Sequence, residues 1–260
     1  MPTGIAIFLG LVVIFGAVTI LLGRFSVTMP IIFVAVGTLM GPQGLVETKD
    51  VELLTEMTLA LLLFADASTL NFHQVRDDAR LPGRLLLIGM PLIIAMGGLV
   101  AYGLFPGEGL GFALLLGAIL APTDAALGLP IFNHPKVPVR IRRALNVESG
   151  LNDGIATPFI ALVTALALSL ETEQSGGWLL SALCEIGIGL GVGGAAGLPG
   201  GWHYTAAIKR DWTSATGEQI GKLALALCAL RAAKPLGGNG FVAAFVGGLM
   251  FGHATRERLH

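Results

Sequence analysis

Residues 146–153, NVESGLND, place Glu148, Asn152 and Asp153 directly before the apolar run GIATPFIALVTALALSL at residues 154–170. Similar apolar runs recur along the chain, which has 54% hydrophobic and 13% charged residues and a mean hydropathy of +0.78. Soluble domains contain about 25% charged residues. The composition therefore indicates a membrane protein, and the polar stretch at 146–153 needs a reason to lie beside a membrane span.

The apolar runs predict transmembrane helices. Each is about 17 to 25 residues long, which is the length that a helix needs to cross roughly 30 Å of hydrocarbon. None alternates with the period of two that a β-barrel requires. The first run lacks a basic leader and a small-residue cleavage site, so we expect it to be retained in the protein. We predict an all-α polytopic protein of about nine helices, with spans at 5–22, 26–45, 52–70, 84–105, 109–132, 145–170, 178–199, 217–234 and 239–252.

The basic residues predict the orientation of these spans. If the loops alternate between the two sides, all but three of the 16 Lys and Arg residues fall on one side, and the exceptions are Lys49, Arg231 and Lys234. The positive-inside rule makes the basic side cytoplasmic and places the N-terminus outside. Because the basic loops are short and lack interleaved aromatic residues, we do not expect a nucleic-acid partner.

Several conspicuous residues have structural explanations. Cys184 and Cys228 lie in apolar spans, where a buried thiol behaves as a small apolar group. In the run GIGLGVGGAAG, Gly189 and Gly193 are spaced to let a neighbouring helix approach closely. The same run has the glycine spacing of a dinucleotide-binding loop, but no strand precedes it.

Two acidic residues inside predicted spans have roles that the sequence leaves open. Asp66 lies near the cytoplasmic end of its span, and we expect it to have a structural role there. Glu185 lies about two turns inside the seventh span. It could line an outer ion entrance or contact a neighbouring helix.

The fifth span is predicted to be discontinuous. Its sequence AILAPTDAALGLP places Pro122 in the middle of an apolar stretch. Proline cannot donate a backbone hydrogen bond, so the carbonyl near Ala118 is freed and the helix kinks or unwinds. In transporters such breaks supply backbone oxygens for cations, and the next half-helix begins with partial positive charge. Asp124 is expected to cap that start.

The sixth span supplies oxygens that can face this break. Ser149 and Asp153 are four residues apart, as are Glu148 and Asn152, so each pair lies along one side of a helix. An ionised carboxylate in a membrane costs at least about 2.5–3.5 kcal/mol, and a bound proton or metal cation relieves this cost. Alternatively, residues 146–153 form the cytoplasmic loop and a helix cap, with solvated side chains. The basic segment HPKVPVRIRR beside them is compatible with that interpretation.

The segment APTDAALGLPIFNHPKVPVRIRRALNVESGLNDGIATPF resembles the NhaP-like branch of the monovalent cation:proton antiporters, as do LALLLFADAS and LGGNGFVAAFVGGLMFG. The resemblance implies that Asp153 binds Na⁺ (or Li⁺ or K⁺) and H⁺ in competition. It also implies oxygen ligands from Ser149 and Asp124 and a backbone carbonyl ligand from Thr123. Asn152 occupies the place of a second aspartate in electrogenic relatives, which implies electroneutral exchange.

The resemblance also implies a domain organisation and partners. We expect a single antiporter domain at 1–260, with scaffold helices at 1–83, ion-site helices at 84–170, and scaffold or dimer helices plus the start of a second repeat at 171–260. The expected partners are membrane lipid, the monovalent cation and proton, and a second copy in a homodimer, with no cofactor. The expected location is the bacterial inner membrane. The sequence lacks the G-x-S-x-G and H-E-x-x-H motifs of hydrolases, which favours a secondary transporter over an enzyme.

Two features depart from the family pattern. The family often reads T-D-P, whereas Pro122 precedes the Thr-Asp pair here, which could move the helix break by a few residues. Relatives also have about twelve or thirteen spans, with an arginine partner for Glu148 on a later helix. We therefore expect a C-terminally truncated product or fragment. A non-transporting remnant or a cation channel are the alternative functions.

Overall fold

The computed structural model describes residues 3–23, 29–40, 48–70, 83–122, 136–171 and 177–259. The chain divides into two compact units, Met1–Thr58 and Leu59–His260. The functional division of the chain at residues 83 and 170 stays a prediction.

The described part of the first unit contains two apolar helices and the more polar first half of a third. Helix α1 spans Thr3–Gly23, α2 spans Met29–Met40, and α3 spans Thr48–Thr69 and contains the boundary between the units. Large apolar side chains such as Val13, Val34 and Leu39 are exposed on α1 and α2. Exposed aliphatic side chains on helices of this composition are typical of contact with hydrocarbon.

The described part of the second unit contains the rest of α3 and six further α-helices. A π-helical turn at Leu85–Gly89 leads directly into the first of them, and a short 3₁₀ turn at Lys234–Leu236 precedes the last. The helices are α4 Met90–Leu104, α5 Gly109–Leu120, α6 Val139–Glu171, α7 Trp178–Lys209, α8 Ala215–Ala233 and α9 Gly240–Leu259. The described part of the chain contains no strand, so the predicted all-α class is confirmed.

Each predicted span has a helix at its position, but several helices extend beyond the prediction. Helix α6 begins at Val139 and α7 continues to Lys209, whereas residues 145 and 199 were expected. Hydropathy reports the part of a helix in hydrocarbon, and helices with basic ends continue into the headgroup region. Among the described residues, three segments are long and apolar enough to span a membrane: Leu85–Leu104, Leu151–Leu170 and Trp178–Lys209.

The packing of the second unit places small residues inside and large apolar residues outside. Ala60, Ala229 and Ala243 are fully buried, whereas Leu99 and Leu120 expose 75% and 71% of their surface. Lipid tails are as apolar as leucine, so membrane helices associate through small residues that allow close contact. This arrangement is the one expected for a bundle surrounded by lipid.

Both cysteines differ from the prediction in one respect. Cys184 and Cys228 are free thiols, but both are exposed and not buried. They lie on apolar helices, where the sequence cannot distinguish a face that packs on protein from a face that packs on lipid.

Helix α7 contacts α9 through backbone surfaces. A methyl group at Gly193 would lie 2.5 Å from the carbonyl oxygen of Ala243, and one at Gly201 would lie 2.7 Å from Cβ of Ala254. Because these positions carry no side chain, the two helix backbones approach closely. The predicted close approach at the glycine run is therefore confirmed. The glycines that face α9 recur every four residues: Gly189, Gly193, Gly197 and Gly201.

A neighbouring face of α9 packs against the end of α3 in the same manner. Gly248 lies against the backbone carbonyl of Phe64, and Gly252 lies against that of Ser68. The rings of Phe64 and Phe251 also stack, with centroids 5.8 Å apart. Helix α9 therefore contacts both α3 and α7 through its backbone.

The helices α4, α5 and α6 form the other part of the unit. Gly117 of α5 lies against Gly98 of α4, where an added methyl group would be 2.6 Å from the Gly98 nitrogen. Gly111 of α5 lies against Ala167 of α6, at a corresponding distance of 3.0 Å. Because Gly111 is near the start of α5 and Ala167 is near the end of α6, these two helices run antiparallel.

The glycine contacts predict unequal effects of two similar substitutions in α7. In Gly197→Ala, the added methyl group would overlap the carbonyl oxygen of Gly247. We expect this overlap to lower the free energy of unfolding by about 1–3 kcal/mol. Gly194→Ala is the matched control, since nothing lies within 4 Å of its added methyl group, and alanine favours a helix over glycine by up to about 1 kcal/mol.

The measurement is the midpoint of unfolding of both purified variants in detergent. Gly197→Ala should unfold earlier than the parent, and Gly194→Ala at the same point or later. Equal destabilisation by both substitutions would contradict the proposed backbone contact.

Candidate ion-binding site

The stretch NVESGLND is helical. Residues 146–153 lie within α6, about two turns after its first residue. The alternative that this stretch forms a loop and a helix cap is therefore wrong. The helical backbone puts positions 149 and 153 along one side and positions 148 and 152 on the adjacent strip. For Glu148 and Ser149 the structure describes the backbone alone.

The side chains at the end of the stretch are withdrawn from the surface. Asn152 is 3% exposed, and Asp153 is half-buried. Gly154 packs against the ring of Phe245 in α9, leaving no room for a larger residue. Since Phe245 is itself 6% exposed, the helix turn that carries Asp153 is fixed against the central helix of the bundle.

The turn after Asp153 contains a local break in the hydrogen bonding of α6. Pro158 lies inside the helix and has no N–H to donate to the carbonyl of Gly154, its usual acceptor. The hydroxyl of Thr157 donates to the carbonyl oxygen of Asp153 at 2.8 Å. The sequence signal of this break is the pair Thr157–Pro158, one turn beyond Asp153, which neither hydropathy nor the spacing of acidic residues detects.

The end of α5 lies beside this part of α6. Helix α5 ends at Leu120, directly before Ala121 and Pro122, which agrees with the predicted break. Ala118 and Ala121 belong to the same buried cluster as Ala156 of α6. The structure therefore brings the end of α5 next to the turn that follows Asp153. Of the predicted ligands on this segment, Thr123 and Asp124 lie outside the described residues.

Leu151 connects the site to both halves of the bundle. It packs against the cluster formed by α4, α5 and α6, which includes Met90 and Ala118. It also packs against the cluster of α3 and α9, which includes Leu63 and Phe245. The predicted ion-site residues of α6 therefore lie where the two groups of helices meet.

Glu185 contacts a neighbouring helix. Its carboxylate oxygen Oε1 accepts a hydrogen bond from Nδ2 of Asn239 at 3.1 Å, and its backbone carbonyl accepts one from the Asn239 N–H at 3.0 Å. Asn239 Oδ1 in turn accepts from the N–H groups of Phe241 and Val242 at 3.0 and 3.1 Å. Asn239 thus caps the start of α9, and Glu185 holds the cap.

Asp66 lies one turn before the end of α3. Its backbone carbonyl accepts a hydrogen bond from the Thr69 hydroxyl at 2.8 Å. The Arg256 guanidinium donates to the backbone carbonyl of Thr69. The end of α3 is therefore joined to the end of α9, and the role of the Asp66 carboxylate itself stays a prediction.

The sequence of this chain is similar to a family model and to several named proteins. The family model described as the transmembrane sodium/hydrogen exchanger matches residues 10–260. A K⁺/H⁺ antiporter NhaP2 from Shewanella baltica is 26% identical over 94% of this chain and 43% of its own length. The Na⁺/H⁺ antiporter ApNhaP of Aphanothece halophytica is 29% identical over 78% of this chain and 38% of its own length. The chain thus spans about two fifths of the length of these relatives.

The contact between Glu185 and Asn239 predicts a hydrogen-bond effect on stability. Asn239→Ala removes the cap of α9 and should lower the free energy of unfolding by about 1–2 kcal/mol. Glu185→Ala should be less costly. The double variant should be destabilised by less than the sum of the two effects, because both substitutions remove the same bond.

The control is Glu185→Gln, which keeps an oxygen acceptor for Asn239. Unfolding midpoints in detergent should rank it close to the parent. If Glu185→Gln is as unstable as Glu185→Ala, the charge of Glu185 and not the hydrogen bond determines its effect.

Proposed function

Because the chain belongs to the sodium/hydrogen exchanger family, we propose that it carries the ion site of a secondary antiporter that exchanges a monovalent cation for H⁺. The observation that carries this proposal is the position of Asp153. It is half-buried in α6, at the start of the membrane-spanning segment Leu151–Leu170. It also lies one turn before the point where the end of α5 packs on Ala156.

The chemistry of exchange follows from the cost of an ionised carboxylate that is withdrawn from water. Inside a membrane span this cost is up to about 2.5–3.5 kcal/mol on insertion scales. A proton removes the charge, and a bound cation compensates it. Since one carboxylate cannot hold both, arrival of one displaces the other, and this competition couples the two movements.

The other ligands are proposed from the family resemblance together with the helix geometry. Ser149 lies one turn before Asp153 on the same side of α6. Asp124 and the backbone carbonyl of Thr123 follow directly on the end of α5. Together with water, these oxygens would provide the shell of about six that a hard cation prefers. Glu148 is proposed as a structural ion-pair residue and not as a ligand.

The proposed cation is Na⁺, with K⁺ and Li⁺ as competitors. The similar proteins include one named for Na⁺ and one named for K⁺, so the ion must be determined by experiment. We further propose that the protein acts as a homodimer in the bacterial inner membrane with its N-terminus outside. Helices α5 and α6 would move against the remaining helices to expose the site to each side in turn.

The proposal predicts that Asp153→Asn abolishes exchange. The amide keeps the size of the side chain, but it does not ionise and so cannot bind and release a proton or carry a negative charge. In everted membrane vesicles, the change in a pH-sensitive dye after addition of NaCl, KCl or LiCl should fall to the level of vesicles without the protein. Asp211→Asn is the matched control, because Asp211 is exposed in a turn and should leave exchange unchanged.

Binding of ²²Na⁺ to the purified chain separates ion binding from transport. Binding by the parent and by Asp211→Asn, together with its loss in Asp153→Asn, would support the site even in a preparation that shows no exchange. Equal binding or exchange by the parent and Asp153→Asn would refute the assignment of Asp153.

The family resemblance implies electroneutral exchange, because Asn152 occupies the place of a second aspartate in electrogenic relatives. With Asp153 as the carboxylate that alternates between cation and proton, one cation replaces one proton and no net charge crosses the membrane. An exchanger that moved one net charge would gain or lose about 2.3 kcal/mol per 100 mV of membrane potential. We therefore expect a potential-sensitive dye in proteoliposomes to show no response to a Na⁺ gradient. A response that disappears in Asp153→Asn would contradict electroneutrality.

A further inference from the structure

Helix α7 is longer than the membrane that it crosses. Its 32 residues extend about 48 Å at 1.5 Å per residue, whereas the hydrocarbon core is about 30 Å thick. Trp178 begins the helix, and Trp202 lies about 36 Å farther along it. Tryptophan prefers the boundary between hydrocarbon and headgroups. A tilted α7 with these two residues at the two boundaries leaves its last turns in the headgroup layer.

A rigid turn follows the end of α7 in this layer. Asp211 adopts a left-handed conformation with φ of 53°. The N–H of Asp211 donates to the Ile208 carbonyl at 3.1 Å, and that of Trp212 donates to the Ala207 carbonyl at 2.9 Å. These bonds fix the direction of the chain beyond the helix. We call residues 209–212 the basic turn.

The basic turn presents charge and aromatic surface together. Lys209 and Arg210 are exposed, and Trp212 exposes 69% of its surface. The Arg210 guanidinium lies 4.8 Å from the centroid of the Trp212 ring, so a cation–π contact holds the two side chains side by side. Trp202, about two helical turns before Lys209 in α7, exposes 44% of its surface.

The charge of the turn is positive. Lys209 and Arg210 carry two positive charges and Asp211 carries one negative charge, so the net charge of the turn is about +1. The next charged residues along the chain, Glu218 and Lys222, form an ion pair of 2.7 Å with each other and cancel. A turn with this charge at headgroup depth is complementary to a lipid phosphate that carries net negative charge.

We propose that the basic turn and Trp202 form a binding surface for anionic phospholipid headgroups. Trp202 lies at the acyl boundary, and Trp212 lies beside Arg210 at the depth of the phosphate that Lys209 and Arg210 contact. Each net positive charge at a membrane surface favours anionic lipid by an amount that corresponds to about a fivefold preference. This surface is independent of the ion site, and its test requires no transport activity.

The experiment measures which lipid lies beside the tryptophans. The 260-residue chain with Trp178→Phe, so that Trp202 and Trp212 are the remaining tryptophans, is reconstituted in mixed vesicles of phosphatidylglycerol and phosphatidylcholine. Either lipid is brominated at the same mole fraction, and quenching of tryptophan fluorescence is compared. We expect brominated phosphatidylglycerol to quench with an apparent association constant about fivefold higher.

Lys209→Gln/Arg210→Gln should abolish this preference or reverse it, because Asp211 then leaves the turn with one net negative charge. Arg231→Gln/Lys234→Gln, which removes equal charge at the other end of α8, should leave the preference unchanged. In the parent, raising NaCl from about 0.05 to 0.5 M should weaken the preference, because salt screens exposed charges. Equal quenching by both lipids in the parent, or equal loss in both double variants, would overturn the proposal.

Discussion

The bundle depends on the close approach of α7 and α9. In lipid there is no hydrophobic force that drives apolar helices together, so association requires backbones near enough for dense van der Waals contact. The glycines of α7 provide this at one face of α9, and Gly248 and Gly252 provide it at a neighbouring face, against α3. Phe245 projects from the helix that is held in this way and covers Gly154. The position of Asp153 is therefore a consequence of glycine packing in other helices.

The sequence predicts the helices better than their ends. Span positions follow from length and hydropathy, because the thickness of the bilayer imposes both. The ends of α6 and α7 do not follow, since each helix continues past its apolar run into a segment where polar or basic residues are mixed with apolar ones, such as VRIRRA at residues 139–144. The glycine run of α7 was also interpreted correctly, because spacing by four residues is local information.

The part of the candidate site that depends on local sequence information could be predicted. The break at Pro122 and the helix positions of residues 148–153 could be inferred from short stretches of sequence. The pairing of Glu185 with Asn239 could not, because 54 residues separate them along the chain and neither has a local motif. Likewise, no local pattern indicates that Phe245 would pack on Gly154. Contacts between distant segments require the assembled bundle.

The missing backbone hydrogen bond at Pro158 makes one turn of α6 easier to bend than the rest of the helix. An uninterrupted helix resists bending along its whole length, whereas a helix with one missing backbone bond bends preferentially at that point. The missing bond lies in the turn after Asp153, where the Thr157 hydroxyl donates a hydrogen bond to the backbone carbonyl of Asp153. We therefore expect α6 to bend between Asp153 and Pro158. Asp153 lies at the end of the N-terminal segment of α6, which also carries the basic residues.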